Sequence, residues 1–113
     1  MELAKDVLVE MTFLPTEHGG RRGPVFSGYR SQFYYKNHDW DAQHDYIDAV
    51  AKPGETVKAY LTFMSPWEHF GVLKEGDHFL IREGQKIVAY GHVLQIIDLE
   101  ESAKRPNLFE NQT

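Results

Sequence analysis

Histidine and aspartate side chains, which can bind metal ions or transfer protons, crowd into one short segment of this sequence. Six of them fall within eleven residues, namely His38, Asp39, Asp41, His44, Asp45 and Asp48. Imidazole and carboxylate groups are suitable ligands for zinc or manganese. Because the spacing matches no motif of fixed ligand geometry, the pattern favours a solvated acidic loop, and we expect no metal site.

Other groups that could carry out catalysis are few. The sequence contains no cysteine, which excludes a thiol nucleophile, a disulfide and a thiolate metal site. His78 and His92 fall on segments predicted as strands, where hydrogen-bonded structural histidines are favoured over a catalytic base. No serine accompanies a recognisable histidine and aspartate pair. We therefore expect a protein that is not an enzyme and has no cofactor; catalysis by the histidine- and aspartate-rich segment is the alternative.

Charge falls into two consecutive blocks along the chain. Residues 18–36 carry four basic side chains and no acidic one, whereas residues 39–48 carry four aspartates and no basic side chain. These blocks form either two surface patches of opposite sign or the mixed charges of solvated loops. The net charge of the whole chain is −5, which opposes non-specific binding to nucleic acid.

Length and composition indicate a single soluble domain. A chain of 113 residues of which 42% are hydrophobic can build one core. No apolar run approaches the roughly 18 residues of a membrane-spanning helix, and the first residues do not resemble a secretory signal. The sequence therefore predicts a cytoplasmic protein without membrane association.

Alternating hydrophobic residues predict that the chain is built of strands. The alternation is clearest over 5–14 and 56–64, where nearly every second residue is apolar. A tight turn is expected at Pro53-Gly54 and a hairpin turn at Glu83-Gly84-Gln85. No segment shows a sustained 3.6-residue period, so no helix is expected. We predict strands over 5–14, 30–37, 45–51, 56–64, 77–82 and 86–98.

Several short strands separated by turns are typical of an all-β barrel or sandwich. The core of such a fold takes the inward-facing residues of each strand. The predicted core residues are Val7, Val9, Leu61, Phe63, Phe79, Ile81 and Val93.

A series of short motifs runs along the chain in a fixed order. They are Gly19-Gly20-Arg21, Tyr29-Arg30-Ser31-Gln32-Phe33-Tyr34-Tyr35, Lys52-Pro53-Gly54-Glu55, Ser65-Pro66, Phe79-Leu80-Ile81-Arg82-Glu83-Gly84 and Val88-Ala89-Tyr90-Gly91-His92-Val93. In order and spacing this series resembles the third, C-terminal domain of bacterial elongation factor Tu. The resemblance implies a six-stranded antiparallel β-barrel, here over residues 1–99, followed by a polar and flexible tail at 100–113.

The family's GTPase domain contains a phosphate-binding P-loop, and no such motif occurs in this sequence. We therefore expect a free-standing barrel that resembles the third domain and binds no nucleotide.

In elongation factor Tu the third domain contacts the T-stem backbone of aminoacyl-tRNA. The resemblance assigns that surface to five positions here, Arg21, Arg30, Gln32, Glu83 and Gly84. Arginine and glutamine can donate to phosphate and ribose oxygens, and glycine allows close backbone approach; the alternative is a structural role for Arg30 and Gln32 at one end of the barrel. Asp41 stands where the family has a threonine that contacts tRNA, and its carboxylate would repel phosphate. Any tRNA binding is therefore expected to be weak.

A free-standing barrel must adapt the face that the GTPase domain covers in the family. The candidate partner surface consists of Trp40, Asp41, Trp67, Phe70 and Leu80. Large exposed apolar patches usually mark partner sites; the alternative is that the aromatic residues fill the barrel and its ends.

Two hypotheses on function follow from these residues. The first is a non-enzymatic binding module whose partner is a protein or RNA of the translation apparatus. The second is a small acidic antagonist or immunity-type protein, which mimics the third domain and binds a toxin or a competitor of elongation factor Tu.

Overall fold

The computed structural model describes residues 3–105, which contain eight strands and one short α-helix. The elements are β1 (Val7–Phe13), β2 (Val25–Phe26), β3 (Arg30–Tyr35), β4 (His38–Tyr46), β5 (Val50–Ala51), β6 (Thr56–Phe63), β7 (His78–Glu83), β8 (Lys86–Ile96) and α1 (Leu99–Lys104). Two 3₁₀ turns, Thr16–His18 and Pro66–Glu68, lie in the connecting segments.

Six of the strands close into an antiparallel barrel. Their order is β1-β6-β4-β3-β7-β8, and β8 pairs back onto β1. The remaining strands, β2 and β5, form a separate two-stranded ribbon. The six-stranded antiparallel barrel predicted from the sequence is confirmed, and its closure leaves no long strand edge open to pairing with other chains.

The core forms because the strands alternate between inward and outward side chains. All seven residues predicted for the core are buried, none of them more than 3% exposed. Aromatic rings fill the centre of the barrel. Phe33 stacks on Phe79 at a ring-centroid distance of 4.4 Å and meets Phe63 edge-on at 5.0 Å.

Two turns adopt the geometry that the sequence predicts. At Pro53-Gly54 the glycine has φ of +88°, and the N–H of Glu55 donates to the carbonyl of Lys52 at 3.0 Å. Gly84 has φ of +62° in the link between β7 and β8. Both glycines adopt the left-handed conformation, which a residue with a Cβ rarely takes.

The segment after β3 differs from the prediction. A strand was predicted at 45–51, whereas β4 spans His38–Tyr46 and the chain turns at Ala49, with φ of +68°. The link between β3 and β4 is a tight turn, in which Lys36 and Asn37 have φ of +50° and +64°. Two successive residues of positive φ are typical of a type I′ hairpin turn. Pairing with β3 on one side and β6 on the other outweighs the low strand propensity of the aspartates.

The strand β4 determines where the acidic block lies relative to the basic block. The acidic block is not the solvated loop that we expected, because most of it forms β4, which pairs with β3 and its one basic residue, Arg30. Gln32 lies opposite Asp41, and Arg30 lies opposite Gln43. Arg30 therefore lies on the strand next to the aspartates of β4, whereas the other three basic residues of the block lie outside β3.

The expectation of a chain without helices is wrong at α1, where residues 100–104 of the expected tail are helical. A helix of six residues is too short to reveal a period in the sequence, and tertiary contacts hold it in place. Ser102 donates from its hydroxyl to Asp6 Oδ1, while Asp6 Oδ2 accepts the N–H of Phe63 at 2.8 Å. The boundary at residue 99 stays a prediction, and residues 106–113 of the expected flexible tail lie outside the described residues. Neither α1 nor any other helix within residues 3–105 has the length and apolar character to cross a membrane.

Candidate functional site

Four of the five residues that the resemblance assigned to RNA contact border one open groove. The groove has a volume of about 470 Å³ and is lined by Tyr29, Arg30, Ser31, Gln32, Asp41, Arg82, Glu83 and Gly84. Strand register explains this convergence, because Gln32 pairs with Asp41 on one side and with Arg82 on the other. Glu83 and Gly84 join the groove from the end of β7 and the turn that follows it.

The fifth residue, Arg21, contacts the groove through Glu83. Its guanidinium forms an ion pair with the Glu83 carboxylate and lies 5.3 Å from the ring centroid of Tyr29. The hydroxyl of Tyr29 donates to the same carboxylate. We call these three residues the Glu83 clasp. It joins the loop after Gly20 to the β7–β8 hairpin and neutralises the charge of Glu83.

Tyr29 stays protonated in this clasp. Burial, followed by the hydrogen bond to Glu83 and the negative charge of that carboxylate, raises the pKa of Tyr29 above its ordinary value. The phenol therefore acts as a hydrogen-bond donor, and the clasp positions the hairpin at the edge of the groove.

Arg82 is a groove residue that sequence reasoning missed. Its Nη1 lies 3.7 Å from Asp39 Oδ2, and its guanidinium lies 4.8 Å from the ring centroid of Tyr34. Nε of Arg82 and Oδ1 of Asp39 are buried and have no hydrogen-bond partner among the described residues. The available signal was the position of Arg82 in the Phe-Leu-Ile-Arg-Glu-Gly motif, two residues after Leu80 on the same side of β7.

The formal charges of the groove cancel, because two arginines and two carboxylates line it. Arg30 and Asp41 are exposed, and neither takes part in an ion pair within residues 3–105. Arg30 can therefore bond to an acceptor from outside. A groove of balanced charge suits a polar partner better than a row of phosphates, whose affinity depends on net positive charge.

The candidate partner surface stays a prediction, and its five residues do not all border the groove. Of its five residues only Asp41 lines the groove. Trp40 is half-buried, with its ring centroid 4.9 Å from that of His69. Leu80 is half-buried on the outer barrel surface. Trp67 and Phe70 are exposed by 42% and 44% in the segment between β6 and β7.

The histidine- and aspartate-rich segment is divided by the alternation of β4. His44 points inward and is buried, with Nε2 2.7 Å from Ser31 Oγ and Nδ1 2.8 Å from the hydroxyl of Tyr46. Asp41 and Asp45 are exposed. Within residues 3–105 no three histidine, aspartate or glutamate side chains gather closely enough to hold a metal ion. The alternation of β4 therefore directs His44 into the barrel and Asp41 and Asp45 to its surface.

His78 and His92 face each other across β7 and β8 on the outer surface, with ring centroids 6.0 Å apart. Neither side chain forms a hydrogen bond to the described part of the chain, and their role as hydrogen-bonded structural residues stays a prediction.

The motifs, the barrel and the groove agree with a comparison against known families. Residues 2–97 match the family model described as the elongation factor Tu C-terminal domain. The chain belongs to this family. The resemblance noted in the sequence is therefore confirmed.

Membership bears on the site in two ways. The elongation factor Tu C-terminal domain is a non-catalytic β-barrel, and the GTPase of the factor lies in another domain. All the groove residues lie within the matched range, whereas α1 follows it. The role of Arg21, Arg30, Gln32, Glu83 and Gly84 as contact residues stays a prediction.

Replacing Tyr29 with phenylalanine is expected to lower the free energy of unfolding by about 1–2 kcal/mol, because a partly buried hydrogen bond to a carboxylate is lost. Urea denaturation at neutral pH measures the change. Tyr34→Phe is the matched control, since the Tyr34 hydroxyl makes only an exposed 3.4 Å bond to Asn37, and its effect is expected to be smaller. Equal effects of the two changes would contradict a stabilising clasp.

Proposed function

We propose that this protein is a non-enzymatic binding module of the translation apparatus and that its groove receives a protein partner in the cytoplasm. One observation carries the proposal. Arg30, Gln32, Glu83 and Gly84, which match the contact surface of the family, converge on one open groove in a chain of the elongation factor Tu C-terminal domain family.

The charge of the groove favours a protein partner over RNA. Arg30 is offset by Asp41, and Arg82 lies beside Asp39. The whole chain adds a net charge of −5. Binding to a nucleic-acid backbone depends on several uncompensated basic side chains, whereas a protein partner can use both the guanidinium of Arg30 and the carboxylate of Asp41.

The side chains of the groove also support binding without catalysis. The lining contains no histidine, and its Tyr29 is held protonated by burial and by its bond to Glu83. A general base and an activated nucleophile within hydrogen-bond reach of each other are what acyl or phosphoryl transfer needs. Ser31 of the lining bonds to His44 at 2.7 Å, but both side chains are buried and burial lowers the pKa of His44 to about 3, so His44 is a weak base at neutral pH.

Affinity capture tests the proposal. We expect the tagged protein to recover a protein of the translation apparatus from a bacterial lysate, and the double change Arg30→Ala with Gln32→Ala to reduce that recovery at least tenfold. Arg22→Ala is the control, because Arg22 is exposed and does not line the groove. Recovery of neither translation proteins nor RNA would contradict the proposal, and specific recovery of a toxin would favour the antagonist hypothesis.

Titration with aminoacyl-tRNA tests the expectation of weak RNA binding. With about 2–3 phosphate contacts, the slope of log K against log salt concentration is expected to be near −2. Asp41→Thr removes an exposed negative charge and should tighten binding by roughly two- to fivefold. Micromolar or tighter binding that is lost in Arg30→Ala would assign the groove to RNA.

A further inference from the structure

Exposed apolar side chains cluster in the segment between β6 and β7. Trp67, Phe70 and Val72 are exposed by 42%, 44% and 42%. No other six-residue stretch within residues 3–105 contains three large exposed apolar side chains. Single exposed apolar residues are ordinary, but a cluster of them marks a surface that a partner covers. We call this cluster the β6–β7 surface.

Buried residues anchor the segment between β6 and β7 to the barrel. The exposed side chains of Trp67, Phe70 and Val72 are therefore held in one arrangement. His69 lies between them in sequence and is completely buried, with its ring centroid 4.3 Å from that of Phe63 and its Nδ1 2.7 Å from the hydroxyl of Tyr35. Leu73 is also buried, and its N–H donates to the His69 carbonyl at 2.9 Å. Ordering of a loop on binding costs conformational entropy, and a segment anchored in this way has already lost much of that freedom.

The helix α1 packs at the same end of the barrel as the β6–β7 surface. It packs against the 3₁₀ turn Pro66–Glu68, within which Trp67 lies, and its Leu99 is buried. Since α1 follows the residues that match the family, this chain supports the β6–β7 surface with an element outside the matched barrel.

The charge around this surface is negative. The segments 64–77 and 98–105, together with Lys36 on the neighbouring turn, carry six carboxylates and four basic side chains. Lys104 pairs with Glu100 at 3.0 Å, and Lys36 keeps its charge while it donates to the carbonyl of Val72 at 3.2 Å, so these residues together carry a net charge of −2. Burial is the main cause that raises the pKa of Tyr35 to about 12, and the charges of Asp77 and Glu68 add to it.

We propose that the β6–β7 surface docks a basic segment of a partner protein, in which arginine or lysine side chains alternate with apolar ones. Apolar side chains of the partner would cover Phe70 and Val72. A guanidinium can stack on the exposed indole of Trp67 while it faces the carboxylate of Glu68. This surface is separate from the groove, and the proposal does not rest on the function proposed for the groove.

Two synthetic peptides test this inference. One contains alternating arginine and leucine, and the other has glutamate in place of every arginine. NMR titration follows the indole N–H signals of the chain's two tryptophans. We expect the arginine peptide to shift the Trp67 signal more than that of the half-buried Trp40, with affinity falling at least fivefold between 50 and 300 mM salt. The glutamate peptide is expected to leave both signals unchanged.

Variants identify the surface and its charge. Trp67→Ser with Phe70→Ser should abolish binding of the arginine peptide, and Glu68→Lys should weaken it at least fivefold. Ile87→Ser is the matched control, because Ile87 is 42% exposed on β8, outside this surface. All these positions are exposed, and thermal denaturation checks that each variant stays folded.

Three results would overturn the proposal. The first is equal binding of the two peptides, and the second is binding of the arginine peptide that persists in the Trp67→Ser, Phe70→Ser variant. The third is dimerisation of the wild type in analytical ultracentrifugation that is lost in that variant, since the surface would then belong to a second copy. Arg30→Ala, which weakens binding in the groove, should leave peptide binding unchanged, so failure here and failure of the groove proposal are distinguishable.

Discussion

Acidification from pH 6.5 towards pH 4 is expected to destabilise the fold by an amount comparable to its whole free energy of unfolding. The cause is a pair of buried histidines. Burial lowers the pKa of His44 to about 3 and that of His69 to about 4. In the unfolded chain both side chains titrate near a pKa of about 6.5.

The direction of the effect follows from which state binds protons. Below pH 6.5 the unfolded chain protonates both imidazoles while the folded protein keeps them neutral, so acid favours unfolding. Each histidine contributes up to about 1.4 kcal/mol per pH unit, and the pair approaches about 3 kcal/mol per unit. Over two units this is about 5 kcal/mol, within the range of about 5–15 kcal/mol that stabilises most domains. The contribution is complete above pH 6.5 and is lost as the pH falls.

Asp6 acts in the opposite direction and makes the free energy of unfolding depend less steeply on pH. Burial raises the pKa of this carboxyl above its ordinary value, although hydrogen bonds from Ser102 and Phe63 lower it in part. Protonation of Asp6 on acidification therefore favours the folded state until the unfolded chain also binds the proton, near a pKa of about 3.9.

Urea denaturation at pH 7, 6, 5 and 4.5 measures the slope of the free energy of unfolding against pH. His69→Phe and His44→Gln are each expected to remove about half of it, whatever their effect on stability at pH 7. His18→Gln is the control, because His18 is exposed on a 3₁₀ turn, and it should leave the slope unchanged. A wild-type free energy of unfolding that stays constant from pH 6.5 to 4.5 would show that the buried histidines take up protons without loss of the fold.

Much of the barrel could be predicted because its signals are local. The alternation of Val7, Val9, Met11 and Phe13 identifies both a strand and its buried face. Proline and glycine at the turn after β5 determine the backbone there, and the β7–β8 hairpin has a glycine at the required position. A single short window of sequence contains each of these signals.

β4 and α1 could not be predicted from such windows. The aspartates of β4 disfavour a strand, which is stabilised by ladders to β3 and β6 that no local pattern reveals. The helix α1 depends on the bond from Ser102 to Asp6, 96 residues earlier in the chain. Pairings over such separations arise only when the barrel has closed.

The site was predictable in part for the same reason. The motifs grouped Arg30, Gln32 and Gly84 in one candidate surface, and these residues border one groove because they lie on strands and a turn whose register follows the barrel. The ion pair of Arg21 with Glu83 joins residues 62 apart. That contact, and the position of Arg82 beside Asp39, required the closed barrel.

Replacing Phe63 with alanine is expected to lower the free energy of unfolding by about 3–5 kcal/mol, the usual range for removal of a buried phenylalanine ring. Phe63 is 3% exposed at the end of β6. Its ring contacts Phe33 in the centre of the barrel and His69 in the following segment, with centroid distances of 5.0 and 4.3 Å. The backbone bond from its N–H to Asp6 stays, so the loss measures the ring alone.

Urea denaturation at pH 7 measures this change, and Phe26→Ala provides the control. Phe26 is 63% exposed, and its removal should change the free energy of unfolding by less than about 0.5 kcal/mol. The ring of Phe63 also supports His69 from below, so Phe63→Ala should loosen the β6–β7 segment and weaken binding of the arginine peptide, whereas Phe26→Ala should not. A loss of stability below about 1.5 kcal/mol, with peptide binding unchanged, would mean that neither the barrel centre nor the β6–β7 segment depends on this ring.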